Sequence, residues 1–243
     1  MSLTVTMATA RRVLTQLRHD PRSIAILIAV PTVLMILLRY VFNSAEVFSG
    51  LAPALLGVFP LTFMFIITSV TMLRERASGT LERLMTTPLS KLDLLVGYAL
   101  AFGLFALVQV LIVVGVSVLL GMTLLGSLGW LLVVTSLAAE LGVALGLLAS
   151  AFARTEFQAI QLMPVVVFPQ LLLCGLFTPR DQMATVLQWV SNVMPMSYAV
   201  SAITQVTAHS SLTTTYVRDA LIVAGCTVVA LVLAATSLRR QTP

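Results

Sequence analysis

Residues 51–89 read LAPALLGVFPLTFMFIITSVTMLRERASGTLERLMTTPL. From Leu51 to Leu73 there is no Asp, Glu, Lys or Arg; then Arg74, Glu75, Arg76, Glu82 and Arg83 follow within ten residues. A bilayer core about 30 Å thick needs roughly 20 apolar residues at 1.5 Å rise each. The stretch therefore predicts a transmembrane helix that ends in a short charged loop. Gly79 can break the incoming helix, Thr80–Thr86 has room for about two helical turns, and Pro88 biases Thr87 away from helix. Ser90, with Asp93 three residues on, forms an N-cap box for the next span.

Five further apolar runs flank this one: 23–42, 94–120, 130–152, 160–177 and 220–238. The first is too long for the apolar region of a signal peptide and is expected to remain as a span. Glu140 interrupts 130–152, and Pro164 and Pro169 break 160–177. The composition agrees: 59% of the 243 residues are hydrophobic and 9% charged, with a mean hydropathy of +1.05. Soluble domains carry about 25% charge, so a soluble domain, a disordered chain and a nucleic-acid-binding domain are all excluded. The expected fold is an all-α integral membrane protein of six transmembrane helices, with residues 1–22 as a separate amphipathic segment and 23–243 as the six-span domain.

The cations set the expected orientation. Arg11, Arg12, Arg18, Arg22, Arg74, Arg76, Arg83, Lys91, Arg154, Arg239 and Arg240 fall on one side, against Arg39, Arg180 and Arg218 on the other. That bias places both termini in the cytoplasm. In residues 1–22, Leu3, Met7, Ala10, Leu14 and Leu17 recur at helical spacing, predicting a helix on the membrane surface whose arginines (Arg11, Arg12, Arg18, Arg22) reach lipid phosphates. Pro179–Tyr216, between the last two spans, is too apolar for a free loop. It predicts two short helices, re-entrant or lying at the outer surface, with Trp189 and Tyr198 at headgroup level.

Catalytic chemistry is sparse. His19 and His209 both lie outside the spans, so Ser117 in Gly115-Val116-Ser117-Val118 has no base within reach. No G-x-x-x-x-G-K-[ST] loop occurs around the single lysine, Lys91. Cys174 and Cys226 sit singly in apolar runs and read as small buried hydrophobes, and no cluster of metal-ligating residues is evident, so no metal site is expected. Glu140 is the one acid deep in a span. A hydrogen bond to Gln109 or Gln170 would be its ordinary use; a place in a gate or substrate path would be its functional one.

Six spans, the interfacial N-terminal helix, the Glu75-Arg76…Gly79-Thr80-Leu81-Glu82…Pro88 loop and the Met194-Pro195-Met196-Ser197-Tyr198-Ala199 segment together resemble an ABC type-2 permease. That family includes membrane subunits of drug-resistance, polysaccharide and nodulation-factor exporters. The resemblance implies half a transporter in a bacterial plasma membrane: two copies, or one copy and a paralogue, bound to two separate ATP-binding subunits that carry the ATP and Mg. No cofactor is implied on this chain. Thr80–Thr86 would be the coupling helix seated in the ATPase, with Arg74, Glu75, Arg76, Glu82 and Arg83 as polar contacts. Leu81, Leu84 and Met85 would fill the groove, and Gly79 and Pro88 would bound it. In the family the second and fifth spans line the path, which here offers Phe59, Phe63, Met163, Phe168 and Gln170, with Glu140 on the fourth span. A path of this kind suits hydrophobic or amphipathic cargo, exported by alternating access. Two other readings predict different behaviour. A self-sufficient secondary carrier or channel would need no partner, and a membrane scaffold would need no kinked fifth span.

Overall fold

The computed structural model describes residues 3–79, 90–153 and 155–237. Among them the chain is helical: α1 (Leu3–Arg18), α2 (Pro21–Phe42), α3 (Ala45–Ala77), α4 (Lys91–Leu119), α5 (Leu128–Ser150), α6 (Glu156–Leu173), a 3-10 turn (Arg180–Gln182), α7 (Thr185–Val193), α8 (Pro195–Ala208) and α9 (Thr214–Ser237). Six of these, α2 to α6 and α9, are long and apolar enough to cross a membrane.

Caps, rather than hydropathy, fix the helix starts. Asp20 accepts from the Ser23 amide (3.2 Å) and hydroxyl (2.6 Å), with Pro21 in the first turn. The Ser23 hydroxyl and amide hold the Asp20 carboxyl below its usual range. Ser44 caps α3 through Val47 (3.3 Å), Ser90 caps α4 through Asp93 (3.0 Å), and Thr155 caps α6 through Gln158 (3.2 Å). The α3 helix accordingly runs from Ala45 to Ala77, 33 residues or about 50 Å, beyond both ends of the apolar run. The α6 helix occupies Glu156–Leu173, four residues earlier than its apolar run, because Thr155 opens it and Gly175, at φ +98°, closes the turn behind it. Likewise α9 starts at Thr214, ahead of Ala220.

The bundle is organised around α5, which packs on α3, α4, α8 and α9. Two glycines make its contact with α3 possible. A Cβ on Gly142 would lie 2.2 Å from the Leu61 carbonyl oxygen, and one on Gly146 would lie 2.6 Å from that of Phe65. Between helices in lipid, close backbone approach through small residues replaces the hydrophobic drive available in water. By contrast α2 and α6 are peripheral: Ile26, Val33 and Leu37 on one, and Phe157, Val165, Phe168 and Leu172 on the other, are exposed.

The helices outside the six spans divide between exposed and buried faces. The α1 helix buries Thr6, Thr9, Ala10, Val13 and Leu17, whereas Leu3 and Met7 are 76% and 60% exposed. Its protein-facing side is the threonine side because α1 docks on the start of α4 at Gly97, where an added Cβ would meet Thr9 Cβ at 2.7 Å. Only small residues allow that approach. In addition, the two segments between α6 and α9 behave differently from each other. On α7, Val186, Trp189 and Val193 are exposed, while α8 is buried in the bundle through Met196, Ala199, Val200, Ala202, Ile203 and Val206. Val200 and Ile203 of α8 reach Gly57 of α3, about 18 Å from the start of that helix at 1.5 Å per residue.

Candidate functional site

One end of the bundle collects most of its charge. The last turns of α3 carry Arg74, Glu75 and Arg76, and each is tied to a different neighbour. Glu75, 7% exposed, pairs with Arg12 of α1 and accepts from Gln16 Nε2 at 2.9 Å. Arg74 forks onto Glu156 at the foot of α6, Nε to Oε1 at 2.8 Å and Nη2 to Oε2 at 3.0 Å. Arg76 donates to the carbonyl of Ser150, in the last turn of α5. The helix then stops: Ser78 N–H returns to Arg74 O at 2.9 Å, and Gly79 adopts φ +69°, a left-handed conformation that favours glycine. Thr80, Leu81, Glu82, Arg83, Leu84 and Met85 of the expected coupling helix, and Pro88 expected to bound it, lie outside the described residues, as does Arg154.

The chain re-enters at Ser90, whose hydroxyl donates to Asp93 Oδ2 (2.7 Å), while Thr6 of α1 donates to Asp93 Oδ1 (3.3 Å). Thus α1 holds both borders of the 80–89 stretch: Glu75 on the α3 side through Arg12 and Gln16, Asp93 on the α4 side through Thr6. On its other flank α1 borders an open groove of about 890 Å³, lined by Met7, Arg11, Thr15 and His19 among others. Of the four expected lipid-facing arginines, Arg12 is therefore committed to Glu75, while Arg11 and Arg18 are exposed on α1 and Arg22 on the first turn of α2.

Buried Glu75 and the role of Asp93 beyond its own cap are features that spacing alone did not disclose. The exposed Arg74–Glu156 pair sets a small, definite expectation. Exposed pairs contribute about 0.2–1 kcal/mol, so Arg74→Glu should lower the thermal midpoint slightly. Arg74→Glu with Glu156→Arg should restore it. A restored midpoint in detergent-solubilised protein checks that the pair joins α3 to α6.

The expected path residues fall into separate places. Phe59 and Phe63 of α3 are half-buried and meet edge to face, centroids 6.5 Å apart. Met163 of α6 is half-buried. Phe168 is exposed and lines an apolar groove of about 720 Å³ with Pro164, Pro169, Leu172, Met183 and Leu187. Gln170 is turned inward: its amide donates to Val166 O (2.9 Å) and its Oε1 accepts from the Met196 amide (3.3 Å). Glu140 points to α4, where a Cβ on Gly103 would lie 2.6 Å from its carboxylate. It does not bond Gln109 or Gln170, as expected from depth alone, because Gln109 donates to Leu27 O (3.1 Å) and Gln170 is engaged with α8. Depth in a span fixes height but not direction around the helix, and Glu140 and Gly142 differ by about 200°.

A further acid within a span escaped the reading by depth. Asp219 in α9 is fully buried and pairs with Arg218 at 2.8 Å. Among the described residues, no group of three or more His, Cys, Asp or Glu could hold a metal ion.

Comparison with known proteins agrees with this architecture. The family model described as "ABC-2 type transporter" matches residues 4–207. The probable multidrug ABC transporter permease YbhS of Escherichia coli is 30% identical over 168 residues, 68% of this chain and 45% of that protein. The inner membrane transport permease YhhJ of the same species is 29% identical over 141 residues, 56% and 37% of the two chains. ABC transporter G family member 20 of Dictyostelium discoideum is 28% identical over 153 residues, 63% of this chain and 21% of that one. The chain thus spans less than half the length of these relatives. Matched over most of its length and built of six apolar helices, the chain belongs to the ABC-2 type transporter family of multi-pass membrane proteins.

Proposed function

We propose that this chain is the permease subunit of an ATP-driven exporter in a bacterial plasma membrane. A separate ATP-binding subunit, present in two copies, would supply ATP and Mg. A second permease copy or a paralogue would complete the transporter. The charged end of the bundle faces the cytoplasm in this reading, with both termini on that side, and α7–α8 forms a hairpin re-entering from the outer side. The observation that carries the proposal is the double pinning of the 80–89 stretch. A loop needed only to connect two spans requires no third helix holding both of its borders, whereas a loop that receives force does.

The mechanics follow from the connections. A push on residues 80–89 reaches α3 at Gly79 and α4 at Ser90. Glu75 and Asp93 pass it to α1, Arg76 to α5 and Arg74 to α6. The 33-residue α3, braced against α5 where Leu61 and Phe65 meet Gly142 and Gly146, then carries the displacement across the bilayer. Arg74, Glu75 and Arg76 would act here as internal links, leaving Glu82 and Arg83 as the polar contacts offered to the ATPase. The exposed faces of α2 and α6 are the surfaces that would meet the second permease. The YbhS and YhhJ names, which speak of multidrug transport and of a transport permease, together with the apolar groove at Phe168, support hydrophobic or amphipathic cargo.

The test is reconstitution. Vesicles holding the chain alone should neither hydrolyse ATP nor move an amphipathic dye. Vesicles holding it with its ATP-binding partner should do both. Dye movement by the chain alone under an ion gradient would overturn the proposal in favour of a secondary carrier.

A further inference from the structure

The far tip of α6 carries a polar lock that the transport reading does not use. The α8 helix begins without a cap of its own: Met194 offers no side-chain acceptor and Pro195 has no N–H. The next amide, Met196, is one of the first-turn donors that every helix leaves unpaired. It is buried, and Gln170 Oε1 of α6 accepts it. Gln170 is itself held by its second bond, Nε2 to Val166 O. Alongside, the Ser191 hydroxyl of α7 donates to the carbonyl of Leu173, the last residue of α6, at 2.9 Å. The Ser197 hydroxyl of α8 lies 3.0 Å from that of Ser191. All three side chains belong to buried residues. Around them Arg180 bonds Asn192 and sits 5.4 Å over the Tyr198 ring, and Tyr198 donates to Asn192 O at 2.7 Å.

Below this lock α6 is weakened. Pro164 and Pro169 remove the donors that would reach the carbonyls of Ile160 and Val165. The foot of the helix is fixed again, by the fork from Arg74 to Glu156. We propose that Gln170 is a positioning residue. By capping α8 from another helix it fixes the tip of α6 to the α7–α8 hairpin, with Ser191 and Ser197 completing the lock. The joint of α6 is thereby confined to Pro164–Pro169. The proposal rests on the transporter reading only for what the joint serves: displacement of the foot would bend α6 at the prolines, and the tip and hairpin would move as one piece.

The lock can be read on the chain alone in nanodiscs, so a failure of the transporter reading would leave the result unaffected. Nitroxides are placed at Leu172→Cys on α6 and Val193→Cys on α7, both exposed positions, with Cys174→Ala and Cys226→Ala removing the native thiols. The starting protein should show one narrow dipolar coupling. Gln170→Met, which keeps bulk but offers no acceptor to the Met196 amide, should lose that narrow component. Gln170→Glu, which keeps an acceptor there, should regain it. An unchanged coupling in Gln170→Met would overturn the proposal, and so would equal loss in Gln170→Met and Gln170→Glu, since the bulk of the side chain would then be what matters. Should Gln170→Met not fold, Ser191→Ala is read the same way, and an unchanged coupling there would overturn the lock.

Discussion

Gly142→Leu should leave almost no folded protein. The first atom added at position 142 would sit 2.2 Å from the Leu61 carbonyl oxygen, and a backbone atom cannot step aside as a side chain can. Overpacking a core typically costs about 1–3 kcal/mol. Here α3 and α5 would have to separate along their shared face, so the loss should lie at or beyond the top of that range. Gly146→Leu, opposed by the Phe65 carbonyl at 2.6 Å, should behave alike. Gly115→Leu, with nothing within 4 Å of its Cβ position, should be tolerated and serves as the control. Monodispersity and thermal midpoint in detergent are the measurements. A Gly142→Leu protein as stable as the Gly115→Leu control would refute the packing described.

The second large effect is expected at Arg12. Arg12→Ala leaves Glu75 buried with no cation, and removing one partner of a buried pair costs about 3–5 kcal/mol. Because Arg12 is itself 28% exposed, a loss of about 1–3 kcal/mol is more fitting here. The penalty comes from the stranded carboxylate, so Arg12→Met with Glu75→Leu should recover much of the stability. The same variants separate stability from function. In Arg12→Ala, α1 should detach, trypsin should cut faster at Arg11 and Arg18, and ATP-driven transport should fall even where the six spans stay folded. Unchanged trypsin sensitivity would mean that the pair does not hold α1.

How far the sequence could be read is clear from these same residues. The six spans were legible because lipid demands about 20 apolar residues in a row, and no other local choice satisfies that demand. Helix ends were less legible. Ser44 and Thr155 extend α3 and α6 into polar sequence that a hydropathy reading discards. The threonine side by which α1 docks was not legible, because its neighbour, Gly97, selects for smallness rather than hydrophobicity. Gln170 looked like a lining residue since a polar group in a span often faces cargo. Its bond to the start of α8, 26 residues later, is one that no local pattern reveals. Glu75 and Asp93 were visible as charges beside a loop, but their common partner, α1, lies 63 and 87 residues away along the chain.

The most direct test of the transport account is a photo-cross-linker at position 82, in the stretch between Gly79 and Ser90, activated in native membranes. The account predicts one dominant adduct, to a protein whose peptides include a G-x-x-x-x-G-K-[ST] nucleotide-binding loop, and loss of that adduct together with transport when Arg83 is changed to Glu. Reaction at position 82 with water and lipid alone, in membranes that still export cargo, would contradict it.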